Sequence, residues 1–184
     1  MYAIILLPAR KAGKRGGVAV RVLGIDPGLG TTGYGVVEPA GGGLRLCEAG
    51  TVRTRGTDPM PLRLASLYEG VCAVIRECRP DRVALEDLYS EYRFPRTAIM
   101  MGHARGVVCL AAAHLGVPVV SYAPAEVKNA VVGSGRASKE QVQGTVQRIF
   151  GLPKLPTPND VADALALAIT GCYRSGNPLL EREV

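Results

Sequence analysis

Long apolar runs are missing from this chain. No stretch approaches the ~18 residues that a membrane helix needs, and Ala3-Ile4-Ile5-Leu6-Leu7 is too short for the core of a secretion signal. The basic cluster Arg10, Lys11, Lys14 and Arg15 also follows that stretch, where a signal places its charge ahead of it. Neither secretion nor membrane spanning is therefore expected, and the expected location is cytoplasmic. Cysteines are few and unpatterned: Cys47, Cys72, Cys78, Cys109 and Cys172 form an odd set with no CxxC pair and no histidine at ligand spacing. A structural zinc site needs four clustered ligands, so reduced and mostly buried thiols are expected instead. Internal repeats and low-complexity segments are absent as well. With 184 residues, 21% charged and 47% apolar, what remains is an ordinary globular chain long enough for one real core.

The net charge of +6 is unevenly spread. Residues 1–17 carry four basic groups, no acid and no apolar periodicity. They read as a flexible basic extension, an upstream reading-frame addition ahead of a native start at Val18 or Val20. From Asp26 to Glu91 there are seven basic and ten acidic residues; from Arg93 to Lys154 there are eight basic and two acidic. A basic second half points to a polyanionic partner, with nucleic acid the first candidate.

Regular pattern begins near Val18. Val20, Val22 and Leu23-Gly24-Ile25-Asp26 make a β-rich run stopped by Pro27-Gly28. Gly28, Gly30 and Gly33 supply a turn, Tyr34 to Glu38 a second strand, and Leu44 to Val52 a third, so the opening reads as an antiparallel meander. The period then changes. Pro61 to Cys78 repeats at helical spacing, Arg82 to Glu86 is a short strand, and a long helix runs from about Arg96 to Leu115. Val117 to Tyr122 is another strand, followed by helices at 124–132, 139–150 and about 159–173. This order predicts an α/β domain over 18–174, a mixed sheet of three antiparallel strands then two parallel ones with helices on both faces. Residues 175–184 read as a polar, frayed tail.

The acids carry the functional signal. Asp26 and Glu86 each close an apolar strand, and ligands of open α/β sheets gather at such strand ends. Asp160 and Asp163, three apart, share one face of the first turn of a helix whose remainder is nearly all apolar and must pack on the sheet. Each has an alternative reading: Asp160 as a helix N-cap or dipole partner, Asp26 as a turn-closing acceptor, Glu86 as the mate of a surface arginine. Converging, the four would repel one another and raise each other's pKa values. Two divalent cations remove that penalty, and all-oxygen ligands select Mg²⁺ or Mn²⁺. Such a pair can activate a water and stabilise the leaving oxygen of an in-line phosphoryl displacement.

The motifs Gly24-Ile25-Asp26-Pro27-Gly28, Thr32-Gly33-Tyr34-Gly35, Leu85-Glu86-Asp87, Gly102-His103-Ala104-Arg105-Gly106, Val127-Lys128-Asn129, Ser138-Lys139-Glu140 and Asp160-Val161-Ala162-Asp163 resemble, in order, those of the RuvC family of Holliday-junction resolvases. The likeness runs from about Val20 to Tyr173. It implies an RNase H-like fold and a homodimeric, metal-dependent endonuclease that resolves four-way junctions by symmetric paired nicks in recombination and repair. It also implies partnership with the RuvA and RuvB branch-migration machinery. Position by position, it gives Asp26, Glu86, Asp160 and Asp163 catalytic, metal-holding roles, with two ions of Mg²⁺ or Mn²⁺. Lys128 and Lys139 match basic positions near the scissile phosphates, although solvated helix lysines would look the same. Tyr89 matches an aromatic position at the crossover, where family members often carry Phe; a loop anchor is its other reading. Arg93 and Arg96, in the same segment, could follow the DNA backbone. The long helix, with Ala98, Gly102 and Gly106, matches the family's dimer contact, and His103 reads as structural.

Other functions draw on some of the same residues. An RNase H-like enzyme acting on RNA shares the acids but not the lysine pair or the aromatic segment after Glu86. An actin-like ATPase or sugar kinase needs two such halves, usually more than about 300 residues, and a second phosphate loop. A non-catalytic junction binder would not require four carboxylates at two strand ends and a helix turn.

Overall fold

The structure is a computed structural model that describes residues 20–87, 95–175 and 182–183, with the side chains of 95, 96, 182 and 183 outside that description. Three strands open the fold: β1 (Val22–Asp26), β2 (Thr31–Ala40) and β3 (Gly43–Arg53). Helix α1 (Met60–Cys78), strand β4 (Arg82–Glu86), helix α2 (Pro95–His114) and strand β5 (Val119–Tyr122) follow. Helices α3 (Pro124–Val132), α4 (Lys139–Phe150) and α5 (Asn159–Arg174) complete it, with a two-residue strand β6 (Arg182–Glu183). The sheet order is β3-β2-β1-β4-β5-β6. β1, β2 and β3 pair antiparallel, while β1, β4 and β5 run parallel. The expected mixed sheet of three antiparallel and two parallel strands is therefore present. β6 pairs antiparallel with β5 through Val120 and Ser121, so part of the tail that read as frayed forms a sixth, edge strand.

Alternation along the strands sorts side chains into two layers. Leu23, Ile25, Val83 and Leu85 pack with α1 and α2, in a core that includes Leu67, Val71, Val108 and Ala112. Val22, Ala84, Val120 and Tyr122 face the other way, against α3, α4 and α5. By the same alternation Asp26 and Glu86 end their strands on the α3–α5 side.

The apolar helix α5 lies on β1 and β2 at a distance only glycine permits. A Cβ at Gly24 would sit 2.0 Å from the Ala164 carbonyl oxygen, and one at Gly33 would sit 2.1 Å from that of Asp160. Gly33 is thus not the turn residue that its spacing suggested. The turn ends earlier, closed by Thr32, whose Oγ1 donates to the Gly28 carbonyl at 2.7 Å and accepts from the Gly28 N–H at 3.2 Å. Strand β2 starts at Thr31, and Gly33 pairs directly with Asp26.

Candidate active site

Asp26 and Glu86 stand side by side because β1 and β4 are parallel neighbours in register, Ile25 opposite Leu85. Each acid is the next residue on. Helix α5 brings Asp160 in its first turn and Asp163 one turn further, its placement set by the glycine contacts under it. Asp160 is not an N-cap, since that position is Pro158 and no side chain caps the helix. The turn after Asp26 is closed by Thr32 rather than by Asp26, and the arginine that reaches Glu86 binds its backbone carbonyl. Asp160 does lie in the first turn of α5, where its charge complements the helix dipole, so of the local alternatives that one stands beside a role in the site.

A cavity of about 320 Å³ opens between this rim and helices α3 to α5. Asp26, Glu86, Asp163, Lys128 and Lys139 line it, over an apolar floor that includes Val127, Val142 and Leu167. Two of the predicted bases thus join three of the predicted acids. Asp160 stands just outside the lining, yet its charge acts on Asp26. Tyr89 and Arg93, and the side chain of Arg96, lie outside the described residues.

The electrostatics are those of a crowded acidic rim. Asp26 is pushed up from 3.8 to about 7, first by burial and then by the charges of Asp163, Asp160 and Glu86, with Lys139 opposing. Glu86 is raised as well, by burial and then Asp163, against Lys128 and Lys139. Among the described residues no three acidic, imidazole or thiol side chains are gathered closely enough to hold a metal ion together. Lys139 brings positive charge to the rim: its Nζ is 2.7 Å from Asp163 Oδ2, and that bond raises the lysine's pKa. The donors are all carboxylate oxygens, they are frustrated without positive charge, and a cavity gives access to them. That donor set suits hard divalent ions.

Arg105 is the residue that sequence reasoning left without a role. Its signal was a charge inside the otherwise small and apolar run Ala104-Arg105-Gly106-Val107-Val108. His103, expected to be structural, is exposed on α2. Among the described residues no helix is long and apolar enough to cross a membrane.

The family model described as crossover junction endodeoxyribonuclease RuvC matches residues 22–171. A crossover junction endodeoxyribonuclease RuvC of Rhodopirellula baltica is 49% identical over 165 residues, covering 90% of this chain and 93% of that protein. One from Moorella thermoacetica is 48% identical over 163 residues, covering 88% and 95%. The solved structure of T. thermophilus RuvC in complex with Holliday junction substrate superposes with a TM-score of 0.83 at 37% identity, covering 90% of this chain and 99% of that one.

Proposed function

The chain belongs to the RuvC family of crossover junction endodeoxyribonucleases, and from that membership we propose that Asp26, Glu86, Asp160 and Asp163 hold two divalent ions, Mg²⁺ or Mn²⁺, at the point of cutting. The enzyme is a nuclease, a hydrolase of DNA phosphodiesters at crossovers, and serves recombination and repair. Ions on these carboxylates supply Lewis acidity for water activation and for the leaving oxygen. The protein's own residues do the rest. Asp26, raised to about 7, gives up its proton near neutral pH and so becomes a competent oxygen donor there. Lys128 and Lys139 on the cavity wall offer mobile point charges to phosphate.

The observation that carries this reading is the pairing of β1 with β4, which sets Asp26 beside Glu86 over a cavity shared with Asp163 and both lysines. Symmetric cutting calls for two copies, and α2 supports a homodimer. Ile99 is 61% exposed and Leu110 49% exposed. Gly102 and Gly106 lie between them on the same helical stripe, each with room for a Cβ that meets nothing within 4 Å among the described residues. Tyr89, Arg93 and Arg96 are assigned to junction contact, and partnership with RuvA and RuvB and a cytoplasmic location are carried over from the family resemblance alone.

The test is an immobile four-way junction incubated with Mg²⁺ or Mn²⁺ and mapped on all four strands, beside duplex DNA and RNA controls. Paired nicks on opposite strands, symmetric about the crossover, are expected. Cleavage that persists in excess chelator, or that prefers RNA, overturns the reading.

A further inference from the structure

Arg105 is a cation buried on the far side of the sheet from the cavity. Its helix, α2, packs Ala104, Val108, Ala111 and Ala112 against Leu23, Ile25, Val83 and Leu85. The Arg105 side chain is only 12% exposed. Its Nη1 donates to the backbone carbonyl of Glu86 at 2.6 Å, and its Nη2 donates to Ser121 Oγ at 2.6 Å. Asp87 Oδ1 is 4.0 Å away. Ser121 is the β5 residue in register with Leu85, and both point to this rear face. One guanidinium therefore joins the last residue of β4, the middle of β5 and helix α2.

Stability alone is a poor reason for such a placement. Removing a guanidinium from water is costly, and two neutral acceptors with a distant carboxylate offset only part of that. An apolar side chain of similar length would suit the surrounding layer better. What arginine supplies is a rigid planar fork that fixes two acceptors at once.

We propose that Arg105 is a positioning residue of the nuclease: from behind the sheet its fork fixes the backbone of Glu86, so that the Glu86 carboxylate stays aimed into the cavity, a role that rests on Glu86 holding a cation. It works through geometry, for its bond to Glu86 is made to the backbone carbonyl and not to the carboxylate. The same side chain ties the Glu86 backbone to α2, the helix assigned to the dimer contact.

Four variants test this: Arg105→Gln, Arg105→Lys, Ser121→Ala and Glu86→Gln. Three readouts are needed: Mn²⁺ binding from loss of the free-ion paramagnetic resonance signal, junction binding without metal, and cleavage against Mg²⁺ concentration. Arg105→Gln is expected to weaken Mn²⁺ binding and raise the half-saturating Mg²⁺ concentration about tenfold or more, the range for losing a residue that orients a metal ligand. Metal-free junction binding should stay at the wild-type level. Arg105→Lys should fall between, since an ammonium lacks the fork, and Ser121→Ala should shift metal dependence in the same direction but less. A folded Arg105→Gln with wild-type metal dependence overturns the proposal. So does a parallel loss of metal-free binding and cleavage, which marks a general structural role. If the Arg105 variants do not fold, Ser121→Ala decides, and wild-type metal dependence there overturns it. Glu86→Gln separates the two ideas: if it cleaves like wild type, the cation role of Glu86 fails whatever Arg105 does.

Discussion

Lys139, the first residue of α4, reaches across to α5 and holds Asp163 with Nζ 2.7 Å from Oδ2. Its ammonium supplies positive charge to the acidic rim and lowers the proton affinity of Asp26. It is just over half exposed, so the pair is screened and contributes little to folding stability. Its weight falls on the electrostatics of the cavity.

Removing that charge has a defined sign. Lys139→Gln takes away a group that pulls Asp26 downward, so Asp26 holds its proton to higher pH. The acid limb of the cleavage profile is expected to move toward alkaline pH and the plateau rate to fall. Rates measured from pH 5.5 to 9 at fixed Mg²⁺ check this; an unmoved acid limb counts against it.

Asp26 also links stability to pH in metal-free protein. Its folded pKa, about 7, lies above the ordinary 3.8. The fold therefore favours the protonated form: the stabilisation is complete below the ordinary value and is lost as pH rises through 7. In chelator, thermal unfolding should occur at higher temperature at pH 6 than at pH 8. The Asp26 contribution is on the order of 1–3 kcal/mol, or several degrees for a domain of this size. Asp26→Asn should flatten that dependence and be the more stable protein at pH 8. Melting curves of both proteins at the two pH values decide it.

The acids should separate cutting from binding. Asp26→Asn and Asp163→Asn are expected to lower junction cleavage by more than about 100-fold, the upper range for losing a mere orienting residue. Junction binding in chelator should survive, because each change removes negative charge from the rim proposed to face DNA. Gel-shift and single-turnover cleavage assays on the same preparations give both numbers.

Two glycines of unlike surroundings make a paired test. Gly24→Ala drives a methyl against backbone at 2.0 Å, where no side chain can yield, and should destabilise by about 3 kcal/mol or more. Gly102→Ala on α2 meets open space and should gain up to about 1 kcal/mol from helix propensity in the monomer. Urea unfolding of each variant checks the contrast.

The outer stripe of α2 is tested by Ile99→Glu with Leu110→Glu. Neither side chain is buried within the chain, so the fold should stand while self-association is lost. Sedimentation should report monomers, with nicks no longer paired across the junction. A dimer that survives both changes places the contact elsewhere.

Much of the candidate site's placement is legible in local pattern. An apolar run that stops on an acid marks Asp26 and Glu86, and strand alternation fixes the face on which each lies. Helix α5 was visible because its apolar residues leave it no choice but the sheet. What the pattern concealed was non-local. Gly33 looked like part of a turn because a glycine is read by what its backbone can do, whereas its use here is to leave room for the Asp160 backbone from 127 residues away. The Lys139–Asp163 pair and the Arg105–Glu86 contact join separate elements, and neither spacing nor periodicity encodes such meetings. Strand β6 is two residues long, too short to leave a period.

The seating of α5 on Gly24 and Gly33 has a bearing on how relatives should be recognised. Two of the four acids owe their position to missing methyl groups on strands that contain a third. A homologue could keep every aspartate and glutamate yet exchange those glycines for alanine, and it would spell a nuclease while holding its blades apart. Inventories of inactive paralogues should therefore score the bare positions as strictly as the charged ones.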